Sequence, residues 1–438
     1  MKLPRPLLRL LALPAALSVL TPPGALARNI FVMPVGTGHQ DGSSWEHALG
    51  QEALSSGIFD TLKPGDHLKI GSGHYQGMEA SLTQSGTAQA PIVIEGVDRN
   101  GKGLPEFRSA WQVTQPDRGA TAFTLAAGVS HVTLQNLKLK GYQVGILAGL
   151  VKNEAESRRH LKFSGLAMSH VRHGCYLSFC EDLIVEDCDI RRYTKHAYRF
   201  EEGCDRVQLR QCVADCSERD PDWEKRTELL PFGFLLNGKG QPNTGFTFSD
   251  CLAANHLMPL QKAAYKNGDG FVVEGNARDI RFIRCRALRN QDGGYDLKAR
   301  DVVLTDCIAL HNGRNIRIWA TATLTNCLMA GGHTGLWNNG GPIMAERCTF
   351  FHLSGPAILC DDAAHKPVIL KNCLLGQVEE VSQAHEDALI SLDEGSVLAT
   401  SDSGEPLDLS VATLKSWQGL DARMNSRKHP GKGYQWQH

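Results

Sequence analysis

Neither sign of charge is in excess in this chain. Its 438 residues hold 46 lysines and arginines against 47 aspartates and glutamates, a formal net charge of −1. That balance leaves no broad positive field, so no nucleic-acid partner is expected, and charge-driven recognition must come from local clusters. Long apolar runs are missing too. Beyond residue 27 no stretch is apolar enough to span a bilayer, so stable membrane insertion is not expected. Metal-type spacing of histidine and cysteine is also absent, which excludes a zinc site. His170, His173, His196 and His333 read as scattered turn or face residues. With 42% hydrophobic and 21% charged residues, the rest is ordinary for a folded soluble protein.

The first 27 residues read as an export signal. Lys2, Arg5 and Arg9 precede an apolar stretch from Leu10 to Leu20, and Ala25-Leu26-Ala27 offers a small-residue cleavage site. A membrane anchor fits less well, because the stretch is short, Pro14 breaks it and Pro22-Pro23 follow it. The mature chain is therefore expected to be secreted or periplasmic, and to act as a monomer.

From Val132 onward one pattern recurs, apolar-x-apolar-x-x-Cys-x-apolar. It runs through Leu183/Val185/Cys188/Ile190, Val207/Leu209/Cys212/Ala214 and Phe246/Phe248/Cys251/Ala253, and on to Val368/Leu370/Cys373/Leu375. Leucine takes the cysteine place at Leu137 and Leu166. Alternation with period two means strands, and the extra residue before each cysteine marks a corner between two of them. Most units recur at 20 to 25 residues, too short for a strand, a crossover helix and loops, but right for one turn of a solenoid. The fold predicted is all-β, a right-handed parallel β-helix of ten to twelve coils with loop insertions and a C-terminal cap.

Stacking would line the cysteines up inside. Thirteen is an odd number, so a complete set of disulfides is impossible. Side chains pointing the same way on adjacent strands also fit the disulfide dihedral poorly, so core packing is favoured. Cys175, Cys180, Cys204, Cys216 and Cys360 lie off the ladder, and pairing among them stays open.

Residues 28–130 read as N-terminal coils, 131–375 as the β-helix with its binding face, and 376–438 as a closing coil and tail. Two long intervals, 39 residues from Cys212 to Cys251 and 34 from Cys251 to Cys285, must leave the stack as loops. Trp223, in the first, is a candidate sugar-stacking residue; a solvated loop with a tucked Trp is the alternative. The opening segments NIFVMPVGTGHQDGSSW (29–45) and LKPGDHLKIGSGHY (62–75) resemble the start of secreted parallel β-helix proteins of the pectate-lyase-like superfamily.

Residues 267 to 319 carry the candidate chemistry. A third short strand precedes each apolar unit: CYLS, AYRF, GFLL, GFVV, GYDL, NIRI, GLWN. Aligning these puts Leu177, Arg199, Leu235, Val272, Asp296, Arg317 and Trp337 in one outward column. His173, Lys195, Asp292 and His333 form another, with Asp269 one coil before Asp292. Rungs about 4.8 Å apart would bring Asp269, Asp292 and Asp296 within reach of one cation. Clustered carboxylates repel unless a proton or a cation intervenes, and all-oxygen ligands suit Ca²⁺. Asp-Gly and Asn-Gly pairs are also ordinary turn formers, which accounts for Asp269 and Asp292 but not for Asp296 inside its strand.

NGDGF (267–271) and NQDGGYDL (290–297) are similar to the calcium-site coils of family-nine polysaccharide lyases. The resemblance implies Ca²⁺ held by Asp269, Asp292 and Asp296, with Gly293 where that family has a fourth aspartate. It also implies a base in the strand NIRIW, where Arg317 replaces the family's lysine. NIRIW is similar as well to a strand of chondroitinase B and alginate lyases. The implied reaction is β-elimination on an acidic, uronate-containing polysaccharide. A base removes the C5 proton, and charge on the neighbouring carboxylate is neutralised. Arg317 and Lys298 are the candidate catalytic bases; Arg199, Arg314, Lys195, Trp337, Trp223 and His173 are candidate substrate contacts. Two other readings stand beside it: a β-helix that binds polysaccharide without cutting it, and an inverting glycoside hydrolase using two carboxylates. The Asn-Thr-Asp and Gly-His-Gly motifs of polygalacturonases are absent.

Overall fold

The computed structural model describes residues 27–151, 153–217, 231–258, 267–360, 367–384, 390–392 and 396–399. The export signal, Trp223 and the end of the closing segment lie outside the described residues.

The period-two segments form strands, and every strand pairing is parallel. One fourteen-stranded sheet stacks the first half of each repeat, from Asn29–Val32 through Leu134, Phe163, Val185, Leu209 and Phe248 to Ile390–Leu392. The second half of each repeat, and the short strand before the next one, build a second parallel sheet. In four places these two pieces run on as one long strand: Ala167–Leu177, Asp189–Phe200, Thr349–Cys360 and Leu374–Ala384. The stack includes the coils predicted from the repeat and further coils at its ends that lack the cysteine.

Each corner has a specific backbone cause. The residue before each ladder cysteine is left-handed: Asp187, Gln211, Asp250, Arg284, Asp306, Asn326, Arg347 and Asn372 all have φ between 50° and 56°. In the two leucine rungs Asn136 (φ 58°) and Gly165 (φ 61°) do the same. A non-glycine residue there costs roughly 1–2 kcal/mol. The cost is offset because the corner amides bond the next rung, as Gln211 N to Ser249 O at 2.9 Å and Asp250 N to Ile283 O at 2.9 Å. The extra residue in the sequence pattern is this corner.

Inside, the cysteines form the expected column. All thirteen are buried and none is in a disulfide, so the pairing left open for the five off the ladder is not made. Each thiol of the column points at the carbonyl two residues back, for example Cys251 Sγ to Ser249 O at 3.4 Å and Cys285 Sγ to Ile283 O at 3.5 Å. Beside them Tyr198, Phe234, Phe271 and Tyr295 stack face to face at 4.7, 4.8 and 4.9 Å, one ring per rung. Burial of such repeated apolar sets is the main stabilising contribution, at about 25 cal/mol per Å².

The N-terminal end is closed by a short helical segment, Trp45–His47, Glu52–Ser55 and Ile58–Thr61. It lays Leu54, Phe59 and Leu62 on the exposed end of the core. Asp66 is buried and takes the Arg28 guanidinium and the Lys63 amide.

Candidate functional site

Alternation decides which residues of the strands before each apolar unit face outward. In Gly293–Leu297 and Arg314–Ile318, the side chains of Tyr295, Leu297, Ile316 and Ile318 fill the core, so Asp296 and Arg317 lie on the outer face. Register pairs Val272 with Asp296, Asp296 with Arg317, and Arg317 with Trp337. The predicted column is thus real over these rungs and continues back through Leu235 to Arg199.

Above Arg199 the expected register is one residue out. Arg199 pairs with Tyr176, whereas Leu177 pairs with Phe200 and is buried. The second column shifts too: His173 faces His196 and not Lys195. The cause is a register shift between Val171 and His173, where Asp189–Phe200 carries one residue more than Ala167–Leu177. A bulge of this kind moves every later side chain by one place. His333 keeps its place: with Gly293 opposite Arg314 and Arg314 opposite Thr334, the residues just before them, Asp292, Gly313 and His333, fall in one line.

Asp269, Asp292 and Asp296 are all buried. They are close enough that Asp269, desolvated and facing both other carboxylates, is held well above the usual carboxylate range. Each also has a donor from its own chain. Asp269 accepts the Gly293 amide, Asp292 is ion-paired with Arg314, and Asp296 accepts the Trp319 indole N–H at 2.6 Å. Burial raises the Asp296 pKa, against the pull of Trp319, Arg317 and Lys298.

The cations are ordered by aromatic rings. Arg317 lies between two indoles, 4.1 Å from the centroid of Trp319 and 4.0 Å from that of Trp337. Its Nε donates to Asn339 Oδ1 at 2.8 Å, and its Nη1 is 3.9 Å from Asp296. Arg314 covers Trp337 at 4.4 Å, and Lys298 sits 5.0 Å from Trp319 while ion-paired with Glu274. Charge and ring alternate from contact to contact in the order Lys298, Trp319, Arg317, Trp337, Arg314, over three neighbouring rungs. Trp319 was not singled out from the sequence. The signal was there, because it lies two residues after Arg317 on the same face of NIRIW.

All three carboxylates of this donor set already have partners within the chain. The carboxylate oxygens are turned to Gly293, Arg314 and Trp319, and among the described residues no three of His, Cys, Asp and Glu are grouped to hold a metal. At Gly293 a Cβ would lie 2.8 Å from Asp269 Oδ1 and 3.3 Å from Asp296 Cβ, so a fourth carboxylate has no room unless Asp269 moves.

No family model matches the chain, and no curated protein matches it by sequence. Solved structures do. The A-module of the Azotobacter vinelandii mannuronan C-5 epimerase AlgE6 superposes with TM-score 0.53 at 13% identity, covering 80% of this chain and 94% of that one. The Arthrobacter chlorophenolicus A6 DFA-IIIase, without its lid, gives 0.50 at 8% identity over 76% and 89%. The pectate lyase Pel9A gives 0.42 at 14% identity over 94% and 88%. The chain has the fold of the right-handed parallel β-helices.

On the same face of this β-helix, three rungs toward the N-terminus, a second polar group gathers. Arg199 stacks on Tyr176 at 4.5 Å and is ion-paired with Glu201, and Arg172 is ion-paired with Asp117. Beneath them His173 and His196 are buried with their Nδ1 atoms 3.1 Å apart. Burial, reinforced by Arg172, Arg199 and Lys195, keeps His173 uncharged with its pKa lowered to about 2. His196, also desolvated and facing His173, is pushed down the same way. Among the described residues no helix is long and apolar enough to cross a membrane.

Proposed function

We propose that this β-helix is an exported, monomeric enzyme that cleaves an acidic, uronate-containing polysaccharide by β-elimination on the outer face around Asp296, Arg317 and Trp337. The observation that carries the reading is the alternation of guanidinium and indole on adjacent rungs. Indole faces take the apolar side of a sugar ring, and arginines hold its carboxylate. Mannuronan and pectate, the polymers named for two of the structural neighbours, are uronate chains of this class.

In the reaction a base takes the C5 proton, the electron pair forms the C4–C5 double bond, and the C4–O bond breaks. Arg317 and Arg314 would neutralise the carboxylate next to C5, where charge develops. A guanidinium stays protonated in proteins, so of the two candidate bases Lys298 is the one able to shed a proton and Arg317 serves by its charge. Use of Ca²⁺ at Asp269, Asp292 and Asp296 is a separate proposal, and no step here depends on it.

One observation favours a second reading, polysaccharide binding without cleavage: Lys298 is tied to Glu274, and Arg317 is held by Asn339 and both indoles. The test is incubation with polygalacturonate, polymannuronate and glucuronate polymers, with and without EDTA, read by absorbance of the unsaturated product. Absorbance lost in Lys298→Met and Arg317→Lys supports elimination, and its loss in EDTA supports the metal. New reducing ends without absorbance indicate hydrolysis, and binding without either indicates a non-catalytic protein.

A further inference from the structure

On the outer face, the charges near Asp296 are matched within the protein: Arg314 by Asp292, Arg317 by Asp296, Lys298 by Glu274. Three rungs away the matching is incomplete. Arg172 has Asp117, and Arg199 has Glu201, which also accepts from Asn237 at 2.9 Å. Lys195, on the same strand as Arg199 and half-buried, has no ion pair or hydrogen bond among the described residues. Burial and the neighbouring Arg172 and Arg199 pull its ammonium pKa down, against a smaller upward pull from Asp117 and Glu201. The groups beneath offer no negative charge, since His173 and His196 are buried and uncharged. The two carboxylates that face Lys195, Asp117 and Glu201, are shared with Arg172 and Arg199, so three cations stand against two anions, and an anionic ligand relieves the excess.

We propose that Lys195, with Arg199 and the ring of Tyr176, forms a second carboxylate-binding site that holds another uronate of the same polysaccharide chain. The inference rests on the reading of the protein as one that binds acidic polysaccharide. Register carries it: Tyr176 and Arg199 stand in the same outward column as Asp296, linked through Leu235 and Val272. Three rungs at about 4.8 Å each separate the two sites by roughly 14 Å. Between them the column runs through Leu235 and Val272, both buried and uncharged, so a chain held at both sites would bridge the two polar grips without touching those side chains. Tyr176 supplies a ring face for the sugar, and Lys195 supplies a positive charge that no ion pair or hydrogen bond among the described residues takes up.

Binding of galacturonate and mannuronate oligosaccharides, two and six residues long, is measured by calorimetry for the full chain and for Lys195→Gln and Lys195→Arg. The expected result is that Lys195→Gln weakens the longer oligosaccharide roughly tenfold or more, the scale of one charge-assisted hydrogen bond. Its loss for the shorter one should be smaller, and Lys195→Arg should retain most of the affinity. A thermal midpoint equal to the wild type's excludes misfolding, and Lys195→Arg gives the test independently if Lys195→Gln is unstable. Unchanged six-residue binding in Lys195→Gln overturns the second site while leaving the proposed function standing. If the wild type binds neither length, the proposed function fails, and this site fails with it.

Discussion

Gly293 stands where the resemblance to family-nine lyases implies a fourth carboxylate, and its surroundings explain the glycine. Its amide is the donor that Asp269 uses, and a Cβ would press on the same oxygen. Gly293→Ala should therefore cost about 1–3 kcal/mol in chemical denaturation, as overpacking at a tight site does. Asp269 is its counterpart. Its carboxyl is held above the usual range, so the native state binds that proton more tightly than the unfolded chain. The stability it contributes is fully present below the ordinary carboxylate value and is lost as pH rises through the elevated one. Asp269→Asn should have a higher thermal midpoint than the wild type at neutral pH in EDTA, and the gap should close as the solution is acidified. A bound cation would reverse this, because calcium would then raise the wild-type midpoint and not that of Asp269→Asn.

Among elements, the coil is the unit that can be checked, through its inward thiol. All thirteen cysteines are buried, eight of them on the ladder that repeats with the corner residues. A thiol reagent such as DTNB should find none of them in the native protein and all of them after denaturation. Cys285→Ala should cost about 1 kcal/mol, the loss of one small buried group. This ladder was legible because one strand pair plus one left-handed corner leaves a fixed signature, visible even where leucine replaces cysteine. The outward column was legible from Arg199 to Trp337 for the same reason. It slipped above Arg199 because the extra residue, between Tyr193 and His196 opposite the step from Val171 to His173, has no local mark: neither Thr194 nor Lys195 is a turn former or has a left-handed backbone. The Trp319 bond to Asp296 combines one repeat step, from Asp296 to Arg317, with one period-two step along the strand, and so crosses neighbouring rungs diagonally.

For the whole molecule, overall charge and local charge tell different stories. At a formal net charge of −1 the protein has no long-range attraction for a polyanion, so capture must depend on the outer-face cations. Affinity for uronate oligosaccharides should fall as salt rises, but only modestly, because Arg317 is partly shielded between its indoles and buried charges are screened less than exposed ones. Calorimetry across a salt series checks this; a steep loss would mean that exposed charges elsewhere dominate.

The N-terminal helical plug and the pairing across rungs together set where such a scaffold can change length. Asp292 with Arg314, Asp296 with Trp319, and Lys298 with Glu274 each belong to two neighbouring turns at once. Duplicating one turn between Asp296 and Arg317 would pull the first two pairs apart, and one between Glu274 and Lys298 the third, whereas duplicating one near the plugged end would lengthen the molecule and leave all three touching. Growth of this protein by added turns is therefore free at its ends and forbidden at its middle.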